Sequence, residues 1–381
     1  MSNNQKYFND AAFVAASAVR SEILAMGGYV PGDQPKGTEA VKLNTNENPY
    51  RASESVYDAI RRVADQGLSR YPNAFGQSFR ESAARLYGVE PNQILCGNGS
   101  DDILTILTRT FVGSGELLRL PYPSYILYKS LAELEGAKSE EVKFNPDWTL
   151  PPYFGSEHQK ENNVSVSPVD AGRLKLVFLP NPNSPSGTLL LPEVIAKIAD
   201  SLPCPLVVDE AYADFAGVSC IELVKSHPNL MVSRTMSKSY ALAGLRFGFL
   251  IARAELIEQC VKVKDSYNCD SLSIAAATAA IEDQEWLADN RRKILATREH
   301  LLHRMRAMGF TVPDSHSNFT WNVHPDPKIS HKKIYEYLKS HGILVRYMNY
   351  PGWGDGLRIS VGTDEQTDRC LALVEEYLSN C

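Results

Sequence analysis

Met231-Val-Ser-Arg-Thr-Met-Ser-Lys-Ser-Tyr-Ala-Leu-Ala-Gly-Leu-Arg-Phe-Gly-Phe-Leu250 sets Ser237 beside Lys238 and places Arg246 eight residues further on, with the small residues Ala243 and Gly244 between. That spacing suits an anionic group held next to a reactive amine. Burial or cationic neighbours lower a lysine pKa and make the amine a nucleophile toward carbonyls, and Arg246 is such a neighbour. The chemistry this points to is a Schiff base. Taken alone, a lysine in a chain with 39 Lys+Arg is a solvated surface charge; its neighbours set Lys238 apart.

The segments on either side supply the sheet. Residues 93–97 are a short apolar strand that runs through Gly97 and Gly99 straight into an apolar helix starting near Ser100, a place where backbone amides can cradle a phosphate. Ordinary helix capping by Ser100 explains the same residues. Asp102 stands where a dinucleotide fingerprint needs its third glycine, which removes the main support for a Rossmann oxidoreductase. Asp101 and Asp102 would repel a phosphate unless their carboxylates turn away, leaving Ser100 and the backbone to bind it.

Residues 174–180 and 205–209 are apolar strands, the first running into a loop with Asn181 and Asn183 and the second stopping at Asp209. Alternation of strand, polar loop and helix predicts an α/β domain with a mainly parallel sheet. Ligands of such sheets bind at the carboxyl ends of the strands, where Asn183, Asp209 and Ser237-Lys238 all fall. A desolvated Asp209 calls for a positive partner, such as a protonated pyridine nitrogen. Tyr125 follows the strand that begins at Leu117 and is placed to stack on a flat ring or to join the core.

Helices are expected at 54–66 and 77–87, the latter closed by Gly88, with Tyr71 on the loop between them. The Asn/Pro cluster after Val41 reads as a loop. From residue 255 the pattern is helical, and later strands, among them 310–312 and 343–346, alternate with helices and predict a second, smaller α/β domain. Arg346 and Arg358 occupy strand positions there, as carboxylate or phosphate ligands or as edge charges.

A 381-residue chain that is 44% hydrophobic and 22% charged has room for one large and one small domain. A net charge of -6, with no basic run, argues against nucleic-acid and membrane partners. Residues 11–19 fit an amphipathic helix and not a signal or membrane segment. Seven cysteines without a C-x-x-C pair are expected as reduced thiols, which places the protein in the cytoplasm, and no metal site is expected.

In order along the chain, Tyr29-Val-Pro-Gly, Leu43-Asn-Thr-Asn-Glu-Asn-Pro-Tyr, Arg70-Tyr-Pro, Gly97-Asn-Gly-Ser-Asp-Asp, Pro180-Asn-Pro-Asn-Ser-Pro-Ser-Gly, Asp209-Glu-Ala-Tyr, Ser233-Arg-Thr-Met-Ser-Lys, Ala243-Gly-Leu-Arg and Leu357-Arg-Ile-Ser-Val-Gly-Thr resemble the class I/II pyridoxal-phosphate aminotransferases of the aspartate aminotransferase fold (fold type I), most closely their histidinol-phosphate branch. The resemblance implies a seven-stranded, mainly parallel sheet flanked by helices in a large domain over residues 41–275. Residues 1–40 and 276–381 would form the small domain and an N-terminal arm.

The same resemblance implies pyridoxal 5'-phosphate as cofactor, with Lys238 carrying its aldehyde and shuttling the proton. Asp209 is implied at the pyridine nitrogen, Asn183 and Tyr212 at the ring's phenolic oxygen, and Tyr125 stacked on the ring. Gly99, Ser100, the Asp101 backbone, Ser237 and Arg246 are implied at the phosphate, with Tyr71 reaching in from the second subunit of a homodimer. Arg358 is implied at the substrate carboxylate, and Arg346, Tyr29 and Asn48 at the rest of the substrate. The implied reaction exchanges an amino group between histidinol phosphate and 2-oxoglutarate/glutamate; an aromatic or broad-specificity aminotransferase, or a decarboxylase of the same branch, remains the alternative. Asp102, where Glu is common, and Asn73, where Asp is usual, are small departures. A non-catalytic DNA-binding relative is disfavoured, because no basic helix-turn-helix segment precedes Tyr29 and Lys238 is intact.

Overall fold

The computed structural model describes residues 18–27, 32–34, 40–155 and 173–380. The expected helix at 11–19 and Tyr29 lie outside them, apart from the last two residues of the helix.

Apolar strands order the large sheet. β1 (Val41–Lys42) stands apart; β2 (Ile94–Gly97), β3 (Leu117–Tyr122), β4 (Lys138–Lys143), β5 (Leu174–Pro180), β6 (Leu206–Asp209), β7 (Leu230–Thr235) and β8 (Gly248–Ile251) form one seven-stranded sheet. Its order is β2-β8-β7-β6-β5-β3-β4, and only β8 runs antiparallel to its neighbours. The sheet is therefore mixed but mainly parallel, as expected. The buried strand residues Leu176 and Phe178 face one apolar cluster, and Val177 and Leu179 face the other. Residue period two thus sends alternate side chains into helical layers on the two faces.

β4 was missed in the sequence because Lys-Ser-Glu-Glu-Val-Lys has a single buried residue, Val142. It is an edge strand, where charged side chains discourage pairing with another chain. The helices Glu54–Gln66 and Gln77–Tyr87 have the expected bounds, and Gly88 closes the second with φ +61°, a left-handed conformation that glycine adopts without strain.

The C-terminal residues build a second sheet, β9 (Phe319–Asn322), β11 (Arg346–Tyr350) and β12 (Gly354–Ser360) in the order β11-β12-β9, while β10 (Ile343–Leu344) pairs in parallel with β1. The single strand expected at 343–346 is thus divided at the buried Val345, because its two halves pair with different partners. The strand expected at 310–312 is reduced to one bridge, Thr311 to Val323. The helices Gln284–Ala307, His331–Ser340 and Asp364–Ser379 cover this sheet through a core that includes Ile294, Leu301, Ile334, Leu338, Ile359 and Val374. Among the described residues no helix is long and apolar enough to cross a membrane, and the six described cysteines are buried and form no disulfide.

Candidate active site

The register of the large sheet lines up the ends of its strands. Gly97 and Thr235 both pair with Gly248, and Asp209 pairs with Pro180. A crevice of about 310 Å³ opens beside this edge. Ser100, Asp101, Tyr125, Asp209, Tyr212, Ser237, Lys238, Arg246 and Arg358 line it, together with Thr45, Asn46, Glu47, Tyr128 and Ser184, which sequence reasoning missed. A larger cleft of about 450 Å³ beside Phe75, Arg80 and Lys264 contains none of the crevice residues.

One end of the crevice is built for an anion. Gly99, at φ +85°, is the N-cap of the helix Ser100–Phe111, so no side chain caps the first-turn amides. Capping by Ser100 is accordingly not what the structure shows, because Ser100 is already the first helical residue. A Cβ on Gly99 would lie 2.7 Å from Arg246 Nη2, and one on Gly248 would lie 2.5 Å from the Ser100 nitrogen. Gly248 is therefore required by close approach to backbone, and Gly99 by its positive φ. Arg246 Nη1 donates to Ser237 Oγ at 3.4 Å, which brings the cation and the hydroxyl to the helix N-terminus.

Only one of the two aspartates turns away. Asp102 Oδ2 accepts from the Asn98 amide and from Asn268 Nδ2, each at 2.9 Å. Asp101 stays on the crevice side, because Arg246 Nη2 at 3.3 Å and the Tyr125 hydroxyl at 3.2 Å give its carboxylate partners there.

Lys238 is partly buried, and its Nζ donates to the Thr45 carbonyl at 2.9 Å. Burial, then the positive charges of Arg358 and Arg246, bring its pKa down to about 8, so that far more of the amine is neutral near physiological pH than for an ordinary lysine, although the protonated form still predominates. The turn bearing Lys238 is fixed from two sides. Asn48 Nδ2 lies 3.1 Å from both the Lys238 and Ser239 carbonyls, and Ser239 Oγ donates to Asp214. Asp214 in turn pairs with the buried Arg234, whose other partner is Glu210 at 2.7 Å. Asn48, expected at the substrate, bonds this backbone and is not among the residues lining the crevice.

Asp209 is 5% exposed. The hydroxyl of the fully buried Tyr128 donates to its Oδ2 at 2.7 Å, while Oδ1 is buried without a partner. Burial raises the Asp209 pKa to about 6, and the Tyr128 bond opposes the rise. Tyr128 stands three residues after Tyr125, and that helical spacing was the signal available in the sequence. Asn183 is buried beside the site; Nδ2 donates to Ser186 Oγ at 2.9 Å and to the Pro123 carbonyl at 3.3 Å, leaving Oδ1 unpaired.

At the other end, Arg358 Nη1 donates to Ser184 Oγ at 3.0 Å and Nη2 to the Asn44 carbonyl at 3.1 Å, and its buried Nε has no partner. Arg346 is its cross-strand partner and packs by Gly32, where an added Cβ would lie 3.2 Å from Nη1; it does not line the crevice. Tyr71 also lies outside, 81% exposed and stacked on Tyr267 with ring centroids 4.6 Å apart.

A lysine of lowered pKa, a buried carboxylate and an anion cradle at the carboxyl edge of a mainly parallel sheet define an α/β enzyme site for a phosphorylated carbonyl compound. The chain belongs to the aminotransferase class I and II family, whose model matches residues 38–374. It is 53% identical over 362 residues to a histidinol-phosphate aminotransferase of Rhodopirellula baltica, covering 95% of this chain and 96% of that one. It is 41% identical to the Geotalea daltonii protein of the same name, covering 94% and 99%. The crystal structure of Sinorhizobium meliloti histidinol-phosphate aminotransferase in complex with pyridoxal-5'-phosphate superposes with a TM-score of 0.83 at 25% identity, covering 96% of this chain and 98% of that one. An aspartate aminotransferase from Thermus thermophilus shares the fold, with a TM-score of 0.74 at 20% identity and coverage of 88% and 91%.

Proposed function

We propose that the protein is a pyridoxal-phosphate-dependent aminotransferase that exchanges the amino group between histidinol phosphate and 2-oxoglutarate/glutamate. The observation that carries the reading is one crevice holding both Lys238, with its lowered pKa, and Asp209, with one oxygen fixed by Tyr128 and the other buried and unpaired. An unpaired buried carboxylate oxygen calls for a charged donor, which a protonated ring nitrogen is. The uncapped helix end with Ser237 and Arg246 fits the cofactor's phosphate.

Bound there, pyridoxal phosphate supplies an aldehyde and an electron-withdrawing ring. Lys238 would hold the aldehyde carbon covalently and, once freed by the substrate amine, would carry the proton from the substrate carbon bearing nitrogen to the former aldehyde carbon. Asp209 keeps the ring nitrogen protonated, and Tyr128 keeps Asp209 in place. Tyr212 donates to the ring's phenolic oxygen, and Tyr125 covers the ring. Asn183 serves that oxygen only with its carboxamide turned over, since Nδ2 is now spent on Ser186 and Pro123. Arg246 exchanges Asp101 for the phosphate, beside Gly99, Ser100 and the Asp101 amide. Asn48 acts through the backbone of the lysine turn.

Arg358 takes the carboxylate of glutamate, which histidinol phosphate lacks, so Arg346 and Tyr29 are assigned to the phosphate and imidazole. The names of the relatives support this substrate. Tyr71, exposed and outside its own crevice, is assigned to the crevice of a second copy in a homodimer. The domain division at 41–275 and at 1–40 with 276–381 is part of the same proposal.

Visible absorption of the purified protein that disappears with glutamate and returns with 2-oxoglutarate supports transamination; a protein that binds no pyridoxal phosphate overturns it. For the substrate, amino-donor half-reactions with histidinol phosphate, phenylalanine and aspartate are compared in native protein and in Arg346→Ala. A clear preference for histidinol phosphate, cut roughly 10-fold or more by the substitution, is expected, since a charge-assisted pair contributes about 1.5–3 kcal/mol. Equal rates for histidinol phosphate and phenylalanine, indifferent to Arg346, contradict the assignment.

A further inference from the structure

Residues 44–48 contact Arg358, Lys238 and Tyr212, three of the groups that line the crevice. The Asn44 carbonyl receives Arg358, the Thr45 carbonyl receives Lys238, Asn46 reaches Tyr212, and Asn48 clips the lysine turn. Asn46 is the most constrained of them. It is 1% exposed and sits at φ +56°, in the left-handed region that Asn tolerates better than most residues.

Each polar group of Asn46 has a partner. Its amide N–H donates to Ser360 Oγ at 2.8 Å, and its carbonyl receives Asn318 Nδ2 at 3.0 Å. Ser360 Oγ donates to Asn46 Oδ1 at 2.9 Å, and Asn46 Nδ2 donates to the Tyr212 hydroxyl oxygen at 2.9 Å. The Ser360 hydroxyl has one hydrogen, and with the Asn46 N–H already bound, that hydrogen goes to Oδ1. A turned-over carboxamide would leave the buried Ser360 proton without an acceptor, a costly state. Nδ2 therefore faces Tyr212, and the phenol oxygen is an acceptor in that contact. Its own proton is left for the crevice, and among the described residues it donates to no protein group.

We propose that Asn46, locked by Ser360, is a positioning residue that sets the direction of the Tyr212 proton, so that the phenol enters the crevice as a donor. The function of that donor, toward the ring oxygen of the cofactor, rests on the proposed transaminase reading; the direction of the proton does not. Consistent with the geometry, burial raises the Tyr212 pKa, while Arg358 and then the Asn46 bond act against the rise. Asn46 is invisible to motif reading as anything but a turn residue, because Ser360 lies 314 positions away.

The test is the titration of Tyr212 in the full-length apoprotein, followed by NMR of tyrosine labelled at the ring carbon bearing oxygen and assigned by its loss in Tyr212→Phe. Asn46→Asp presents a carboxylate that accepts the phenol proton, so its midpoint rises most, by more than roughly one pH unit. Ser360→Ala frees the carboxamide to turn over and accept from Tyr212, so the midpoint also rises although Ser360 does not touch the ring. Asn46→Gly keeps the left-handed backbone without strain and gives a smaller rise, and it serves if either other variant fails to fold. Midpoints unchanged from native in the folded variants overturn the proposal. In the loaded protein the pH dependence of the bound cofactor's absorption should move with the same ranking. If only that second arm is silent, the assignment of Tyr212 to the cofactor fails and the proton direction stands.

Discussion

At the anion end of the crevice, Gly99, Ser100, Ser237, Lys238 and Arg246 come from two short stretches, 97–102 and 237–246, that meet where Gly97 and Thr235 both pair with Gly248. At the opposite end, Arg358 reaches Asn44 and Ser184, which are 314 and 174 residues away, and the hairpin β11–β12 that carries it comes from the smaller sheet. The first region is held by backbone close approach on a continuous sheet. The second is held by side chains spanning two sheets, and its hairpin turn rests on an aromatic cluster: Tyr122 donates to the Pro351 carbonyl at 2.9 Å, and Trp353 lies 4.8 Å from Trp148, ring to ring. Changes at the first end should therefore weaken the hold on the cofactor or its chemistry, whereas changes at the second should alter substrate handling in a protein that holds the cofactor as before.

Lys238→Ala sharpens that contrast most. Losing both the covalent anchor and the proton carrier should cost roughly 10⁴-fold or more in turnover, measured by glutamate-dependent loss of absorption after loading with cofactor. Gly248→Ala comes next. Its Cβ would meet the Ser100 backbone nitrogen, which cannot yield as a side chain can, so the helix start must shift. Cofactor affinity should fall by roughly 10–100-fold, equivalent to about 1.4–2.7 kcal/mol, in an equilibrium titration.

Tyr128→Phe is milder and turns on pH. Burial already raises the Asp209 pKa to about 6, and the Tyr128 bond holds it from rising further. Without that bond the carboxylate protonates at a higher pH, so the cofactor should be lost on acidification roughly one unit earlier than in native protein. The same onset in both proteins would remove Tyr128 from the account. The smallest effect is expected for Trp353→Ala at the hairpin turn. It should raise the apparent KM for the amino donor a few-fold while cofactor affinity is unchanged; equal losses in both would break the contrast between the two ends.

The unequal construction also explains what the sequence made legible. The helices at 54–66 and 77–87 were bounded correctly because Gly67 and Gly88 end them at positions where φ is positive. Lys238, Asp209, Ser100 and Arg246, which line one crevice, stand out in the sequence because each sits in a local motif at a strand end. Asn46 and Ser184 were not, since their roles depend on Ser360 and Arg358, which are distant in the chain. β4 escaped because a polar edge strand has little apolar periodicity, and the 343–346 strand divides because only the tertiary partners, β1 and β12, decide where. Asn48 is assigned to the substrate by its motif neighbours, whereas its bonds to the carbonyls of the lysine turn could be read only from the structure.

The Lys238 pKa falls from 10.5 to about 8 on folding, so between those values the unfolded chain binds more protons and stability should rise with pH. In the loaded protein that contribution changes, because the amine is then covalently engaged.

The central claim is that Lys238, and not another lysine, is the nucleophile. Borohydride reduction of the cofactor-loaded native protein, followed by peptide mass spectrometry, tests it directly. The account predicts a single pyridoxyl-phosphate adduct on the peptide containing Lys238, absent in Lys238→Ala. An adduct on a different lysine in the native protein, or none in a protein that still transaminates, would contradict it.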